Sequence, residues 1–218
     1  MRPTQLPLPS TSGWGGRRAG AGRKAAPHAN VAHHRRPLHA ARHPVHVTWR
    51  AVSGLASLRG IEVLPELVAS IAKASSEAFR VVHFSIQDDH LHLVVEASDR
   101  SALRLGLQGL GVRLARATNR VLRRSGRVLG DRYHARALRT PREVKHALAY
   151  VLQNFKKHQR FAATLLDPCS SAVWFDGFRE RAPLPLAAAP VRAPHTWLCR
   201  VGWRRHGLLS AQARPAPR

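Results

Sequence analysis

Acidic residues are scarce in this sequence, and their positions divide the chain into parts. The 218 residues include 12 Asp and Glu against 36 Lys and Arg, so the formal net charge is +24. All 12 acidic residues lie between Glu62 and Glu180. Because Lys and Arg displace the counterions condensed on nucleic acids, this charge indicates a nucleic-acid partner. A merely basic protein or an RNA-binding protein has a similar composition, so charge alone does not name the partner.

Cysteines and long apolar runs are also scarce, and each absence excludes a class of protein. The two cysteines, Cys169 and Cys199, form neither a disulfide framework nor a metal-binding spacing, so a reducing cytoplasm is expected. No apolar run approaches the roughly 20 residues that cross a bilayer. Residues 1–12 lack the apolar core of a secretory signal. We therefore expect no membrane partner.

The two acid-free ends differ in composition from the middle of the chain. Residues 1–43 are rich in Gly, Pro and Arg, and residues 181–218 are rich in Pro, Ala and Arg. Segments of this kind bury too little apolar surface to order themselves, so both are predicted to be disordered basic arms. The folded domain is assigned to residues 44–160, with a C-terminal extension of that domain over 161–180.

Hydrophobic periodicity in the middle of the chain predicts an α+β fold. Apolar and polar residues alternate in three regions, predicted as a strand over 44–52, a hairpin over 82–95 and a strand over 128–138. Apolar residues recur at helical spacing over 62–79, 101–124 and from residue 141 onward, although glycines interrupt the first half of the second helix. This order of elements describes a ferredoxin-like antiparallel sheet with helices packed on one face.

The hairpin separates apolar from polar side chains. A two-residue turn at Asp88-Asp89 pairs apolar residues across the two strands, among them Phe84 with Leu93 and Val82 with Val95, and places them on one face. The opposite face then carries the polar residues His83, Ser85, Gln87, His90, His92 and Glu96. One face is therefore expected to be core and the other a polar site.

The third helix has the clearest start and an unusual face. Thr140 is a good N-cap, Pro141 suits the first helical position, and Glu143 completes a capping box. Tyr150 and Asn154, one turn apart, fall on a different face from the apolar stripe, together with polar residues that include His146 and Lys157.

His90 and His92 are two residues apart on a strand, so both imidazoles project from one face and can chelate one ion. The pair alone is weak evidence, because the chain has 14 histidines and a histidine on a sheet often serves only as a hydrogen-bonding residue. Tyr150 adds a phenolic nucleophile, and Asn154 adds an amide oxygen as a third ligand. Gln153 is the less well aligned alternative for that ligand.

With these residues in place, the chain over about 44–178 resembles the HUH single-tyrosine transposases, in particular the REP-associated tyrosine transposase group. The matching motifs are Asp89-His90-Leu91-His92-Leu93, Gly126-Arg127-Val128 through Tyr133, Tyr150 with Asn154, and the run Ser170-Ser171-Ala172-Val173-Trp174-Phe175-Asp176-Gly177. The sequence departs from the group at Gln153-Asn154-Phe155-Lys156, where many relatives have Asn-Pro.

The resemblance implies DNA transposition by cleavage and rejoining of single-stranded DNA at hairpin, palindromic sites. In the family the tyrosine becomes joined to a 5′ phosphate and a 3′-OH is released, so Tyr150 is the expected catalytic residue. The expected cofactor is Mg²⁺ or Mn²⁺, held by His90, His92 and Asn154. The resemblance also implies a bacterial, nucleoid-associated protein.

Oligomeric state and activity both stay open at this stage. Relatives are often homodimers in which the tyrosine helix serves the partner's histidine pair, so a homodimer is one expected state. Two other functions remain: a domesticated, non-catalytic nucleic-acid-binding protein that keeps the fold, and a hydrolytic metalloenzyme that uses the histidines.

Basic residues outside this site are the candidates for DNA contact. The second helix carries a row of arginines at a spacing of three or four residues, with no acidic partners in that row. The residues assigned to DNA binding are Arg113, Arg116, Arg120, Arg123, Arg127, Lys157, Arg17 and Arg18. Trp14 lies beside the last two and could stack on a base. Tyr133, the other tyrosine, is expected to have a structural role.

Overall fold

The computed structural model describes residues 38–158, 164–180 and 185–214. Its strands are β1 (Val45–Arg50), β2 (Phe79–Ile86), β3 (His90–Ala97) and β4 (His134–Ala137). Its longer helices are α1 (Val63–Ala72), α2 (Arg100–Val121) and α3 (Pro141–Gln153). Two short helices, α4 (Phe155–His158) and α5 (Trp197–Arg200), and two 3₁₀ turns, Ser171–Trp174 and Gly202–His206, complete the described elements.

The four strands form one antiparallel sheet in the order β2-β3-β1-β4. Along the chain the elements follow as β1, α1, β2, β3, α2 and β4. This sequence of elements with this strand order is the ferredoxin-like arrangement. The predicted α+β class with an antiparallel sheet is therefore confirmed.

The helices lie on both faces of the sheet, which corrects the prediction that they pack on one face. Helices α1 and α2 cover the face that presents Val47, Leu93 and the other core residues predicted for the hairpin. Helix α3 covers the opposite face, where Leu148 belongs to a second buried cluster with Val82 and Val94. The apolar patch on this second face gives α3 a surface on which to bury its stripe.

A β-bulge in β2 supplies part of that patch. The predicted pairing of Phe84 with Leu93 is present, but Val95 pairs with Val81 and not with Val82 as predicted. The register shifts at this point, and Val82 joins the cluster under α3. An inserted residue interrupts the two-residue period of a strand, so the alternation of side chains in the sequence does not reveal it.

Two helix predictions also change at their boundaries. Helix α1 ends at Ala72, earlier than predicted, and Phe79 begins β2. Helix α2 is continuous despite its glycines. A Cβ at Gly106 would lie 2.1 Å from the Phe79 ring, and a Cβ at Gly111 would lie 2.4 Å from Trp49. These glycines therefore let α2 approach the sheet closely.

Residues 195–211 pack on the α3 face, which corrects the prediction that residues 181–218 form a disordered arm. We call residues 185–214 the C-terminal segment. The buried carboxylate of Glu96 accepts hydrogen bonds from the backbone N–H groups of His195 (2.6 Å) and Thr196 (3.0 Å) and from the Thr196 hydroxyl (2.7 Å). Trp203 is 1% exposed and packs in the cluster under α3. The C-terminal segment has few apolar residues, but they are enough to fold it, because they complete a core that the rest of the chain has already formed.

Several predictions fall outside the described residues. Residues 1–37 of the predicted N-terminal arm, including Arg17, Arg18 and Trp14, are among them, as is the side chain of Lys157. Within the part of the chain that is described, none of the helices combines the length and the apolar character that crossing a bilayer requires.

A buried ion pair holds the turn end of the hairpin. Arg59 donates to both carboxylate oxygens of Asp167, at 2.7 and 3.0 Å, and to the carbonyl oxygen of Ile86 at 2.8 Å. The side chains of Arg59 and Asp167 are 15% and 0% exposed. Since Ile86 is the last residue of β2, this contact ties the loop before α1 to the strand end next to His90.

We expect Arg59→Met to lower the free energy of unfolding by about 3–5 kcal/mol, because it leaves the Asp167 carboxylate buried without its partner. The matched control is Arg120→Met, which removes an ion pair to Glu66 whose side chains are 68% and 41% exposed. That variant should lose less than about 1 kcal/mol. Urea denaturation of both variants measures the difference, and equal losses would contradict a dominant role for the buried pair.

Candidate active site

Helix α3 places Tyr150 over the polar part of the sheet face that it covers. The capping box that starts α3 is present: the Glu143 N–H donates to the Thr140 hydroxyl at 3.2 Å, and the Thr140 N–H donates to the Glu143 carboxylate at 3.3 Å. Two turns further along, the Tyr150 ring lies 4.9 Å from the ring of His92 on β3, centroid to centroid. The helix start that the sequence predicts thus sets the position of the tyrosine.

His90 and His92 project from the same face of β3, as their spacing predicts. Their ring centroids are 4.7 Å apart and the rings are nearly perpendicular, at 85°. His92 is 2% exposed, and the His90 side chain is 12% exposed. The structure therefore brings the histidine pair and the candidate nucleophile together within a single chain.

Hydrogen bonds orient both imidazoles through their Nδ1 atoms. His90 Nδ1 lies 2.6 Å from the carboxylate of Asp89, and His92 Nδ1 lies 3.1 Å from the hydroxyl of Thr48. A carboxylate only accepts hydrogen bonds, so this contact favours the neutral tautomer of His90 that has its proton on Nδ1 and its lone pair on Nε2. The hydrogen bond from His90 is also the main reason that the pKa of Asp89 lies below its ordinary value.

The two candidates for the third ligand differ in their surroundings. The Gln153 side-chain amide donates to the carbonyl oxygen of Ser210 at 2.5 Å. Asn154 is 1% exposed, and within the described residues neither polar atom of its side chain has a hydrogen-bond partner. A buried amide without a hydrogen-bond partner is costly, and binding a metal ion would remove that cost. Asn154 is therefore the better candidate for the third metal ligand.

The residues present fit a divalent cation by their chemistry. Two imidazoles and a carboxamide oxygen are common ligands of transition-metal ions, and the orienting hydrogen bond from His90 to Asp89 is typical of metal-binding histidines. Among residues 38–158, 164–180 and 185–214, no group of three or more His, Cys, Asp or Glu side chains is placed to hold a metal ion.

His46 and Thr48 are site residues that the sequence reasoning missed. His46 is 3% exposed, and its ring lies 5.4 Å from the His92 ring and 5.8 Å from the Tyr150 ring. The alternation of β1 places both residues on its polar face, which was a signal in the sequence. Their proximity to His92 depends on the antiparallel pairing of β1 with β3, which sets Thr48 opposite His92.

The predicted arginine row lies on the opposite face of the sheet from Tyr150. Helix α2 packs in the core cluster that contains Val47 and Leu93, on the face away from Tyr150. The members of the row are exposed side chains on α2 or just after it: Arg113, Arg116, Arg120, Arg123 and Arg127. Arg120 pairs with Glu66, contrary to the expectation that the row has no acidic partner. Arg127 donates to the Gly130 carbonyl. DNA on this row would have to pass around the sheet to reach Tyr150.

Tyr133 lies on the same side of the sheet as the arginine row. Its ring is 5.4 Å from the ring of Trp49 in an edge-on contact, and it packs against the core under α1 and α2. The two tyrosines of the chain therefore occupy opposite faces of the sheet. This separation makes Tyr133 a natural control for Tyr150.

We expect Asp89→Asn to change the tautomer of neutral His90. In the unmodified protein the carboxylate favours a proton on Nδ1, whereas an asparagine amide can also donate to that atom and so weakens the preference. Long-range ¹⁵N–¹H correlation spectra of the His90 ring report the tautomer directly. Asp88→Asn, one residue away, is the matched control because Asp88 accepts from Ser57. An unchanged His90 spectrum in Asp89→Asn would contradict the assignment.

No protein-family model matches the chain, and no curated protein matches it. One solved structure that is similar to it is described as "Structure of the REP associates tyrosine transposase bound to a REP hairpin". The match covers 60% of this chain and 76% of that one, with 13% sequence identity and a TM-score of 0.49.

Proposed function

We propose that this chain cuts and rejoins single-stranded DNA through a covalent tyrosine intermediate. The observation that carries the proposal is the position of the Tyr150 ring, 4.9 Å from the ring of buried His92, which itself lies 4.7 Å from the ring of His90. The formal charge of +24 supports a nucleic-acid substrate. The resemblance of the same motifs to HUH single-tyrosine transposases supports the reaction class.

The chemistry is a pair of phosphoryl transfers. The Tyr150 phenolate oxygen attacks a backbone phosphorus, a tyrosyl–phosphate bond forms, and the bond to O3′ of the neighbouring nucleotide breaks. O3′ takes up a proton and leaves as a 3′-OH, while the 5′ phosphate stays on Tyr150. A 3′-OH then attacks that phosphate and releases the phenol. The number of phosphoester bonds is conserved, so no external energy source is needed.

The surrounding side chains prepare Tyr150 for this attack. The His46 and His92 rings both meet the Tyr150 ring edge-on, at 68° and 81°, and limit the directions in which the phenol can point. Asp89 and Thr48 orient His90 and His92. When bound, a divalent cation, Mg²⁺ or Mn²⁺, supplies charge stabilisation at the phosphate, and His90, His92 and Asn154 are the residues that would hold it.

The proposed substrate is a DNA hairpin with a single-stranded flank, in DNA transposition within the bacterial cytoplasm. The expected homodimer stays a prediction. Tyr150 and His92 of the same chain are already in contact, so exchange of the tyrosine helix between subunits is not required for them to meet. A protein that only binds nucleic acid is the alternative that the following experiment separates.

We expect the protein with Mn²⁺ to form a covalent adduct with a labelled single-stranded hairpin, and Tyr150→Phe to lower adduct yield on the order of 10³-fold or more. Denaturing gel electrophoresis measures the adduct. Tyr133→Phe is the control and should react as the unmodified protein does. An adduct that persists in Tyr150→Phe and disappears in Tyr133→Phe would move the nucleophile to Tyr133. Salt-sensitive binding with no adduct would instead support the non-catalytic alternative.

We also expect Asn154→Ala to weaken Mn²⁺ binding by about tenfold or more, the scale on which mutation of metal-site residues acts. Gln153→Ala is the matched control: it removes the hydrogen bond to Ser210 and should lower stability while leaving Mn²⁺ affinity nearly unchanged. Titration of Mn²⁺ followed by electron paramagnetic resonance measures both affinities without activity. The reverse pattern would make Gln153 the ligand.

A further inference from the structure

The C-terminal segment carries an exposed stack of aromatic and cationic side chains on the face of the sheet that holds Tyr150. We propose that Trp197 and Arg205 form a platform that binds the single-stranded DNA leading to Tyr150. The identification of this strand as the substrate's flank rests on the proposed function. The binding itself is a separate property with its own test.

The position of the platform follows from the anchor at Glu96. His90, His92, Val94 and Glu96 alternate along β3 and share one face. Glu96 holds the backbone of the C-terminal segment immediately before Trp197. At a rise of roughly 3.3 Å per residue, this anchor lies about 13 Å along the strand from His92. A strand of DNA that contacts the platform therefore has only a short distance to the site.

The indole of Trp197 is held in place and yet open to solvent. Trp197 is 48% exposed, unlike Trp203, which is 1% exposed in the same segment. A Cβ at Gly202 would lie 2.6 Å from the Trp197 ring, so the ring rests directly against the backbone there. The guanidinium of Arg205 stands 4.8 Å from the ring centroid. A rigid indole with a stacked guanidinium is a surface on which an unpaired base can stack.

The charge around the platform is positive and largely uncompensated. No acidic residue follows Glu180 in the sequence. In the C-terminal segment Arg204 forms an ion pair with Asp176, whereas Arg200 and Arg205 are exposed. Such a surface attracts a polyanion. The arginine row on α2 has a similar charge but lies on the other face, so the platform offers the more direct approach to Tyr150.

The combination of features favours single-stranded DNA over duplex DNA. In a duplex the faces of the bases are covered by their stacked neighbours, so Trp197 could add little to duplex binding. An unpaired strand exposes those faces and also carries the phosphates that Arg200 and Arg205 attract. The platform should therefore contribute more to the binding of a single strand than to the binding of a duplex of the same length.

The test measures binding of a fluorescein-labelled, mixed-sequence single strand by fluorescence anisotropy, in the full-length Tyr150→Phe background so that no cleavage occurs. We expect Trp197→Ala to weaken single-strand binding by roughly 5- to 150-fold, the range for loss of one stacking aromatic. Trp197→Phe should restore part of the affinity. Val201→Ala is the matched control, since Val201 is a 51% exposed apolar residue of the same segment.

A labelled duplex of the same length completes the design. Its affinity should change by less than about twofold in Trp197→Ala, and Arg205→Ala should weaken single-strand binding together with its salt dependence. Unchanged single-strand binding in Trp197→Ala would overturn the proposal, as would an equal loss for the duplex. Absence of an adduct with wild-type Tyr150 would refute only the proposed function. The dependence of binding on Trp197 would stand in that case.

Discussion

The packing of α3 against the second face of the sheet is the contact on which the rest of the structure depends. It buries Leu148 and Val151 with Val82 and Val94, and it holds Tyr150 beside His92. The same cluster is completed by apolar residues of the C-terminal segment. Without this contact the histidine pair would lie on an open sheet surface, and the tyrosine would have no defined position relative to it.

On this face of the sheet, a short stretch of β3 contributes both to the apolar core and to a set of polar side chains. Val94 belongs to the core under α3, whereas His90 and His92 on one side of it and Glu96 on the other are polar. The polar side chains are nearly buried, so their hydrogen bonds are strong and their orientations are restricted. Asp89 and Thr48 form hydrogen bonds with the Nδ1 atoms of the histidines at one end, and the backbone of the C-terminal segment donates hydrogen bonds to Glu96 at the other.

Positive charge is distributed over both faces of the sheet. The chain presents basic residues on both sides of the sheet: the arginine row on α2, and the exposed arginines of the C-terminal segment beside Trp197. Only the second group shares a face with Tyr150. Much of the surface of this protein attracts a nucleic acid. The path of a single strand to Tyr150 is decided by aromatic contact with Trp197 and by the short distance along β3.

The features that the sequence predicts correctly depend on local contacts. The capping box at Thr140, the hairpin at Asp88-Asp89 and the common face of His90 and His92 all depend on residues a few positions apart, where spacing fixes geometry. The tertiary structure alone decided that α3 lies on the second face, that His46 joins the site, and that the C-terminal segment folds. These three features depend on contacts between distant parts of the chain. A segment with few apolar residues can bury them only against a surface that the rest of the fold provides.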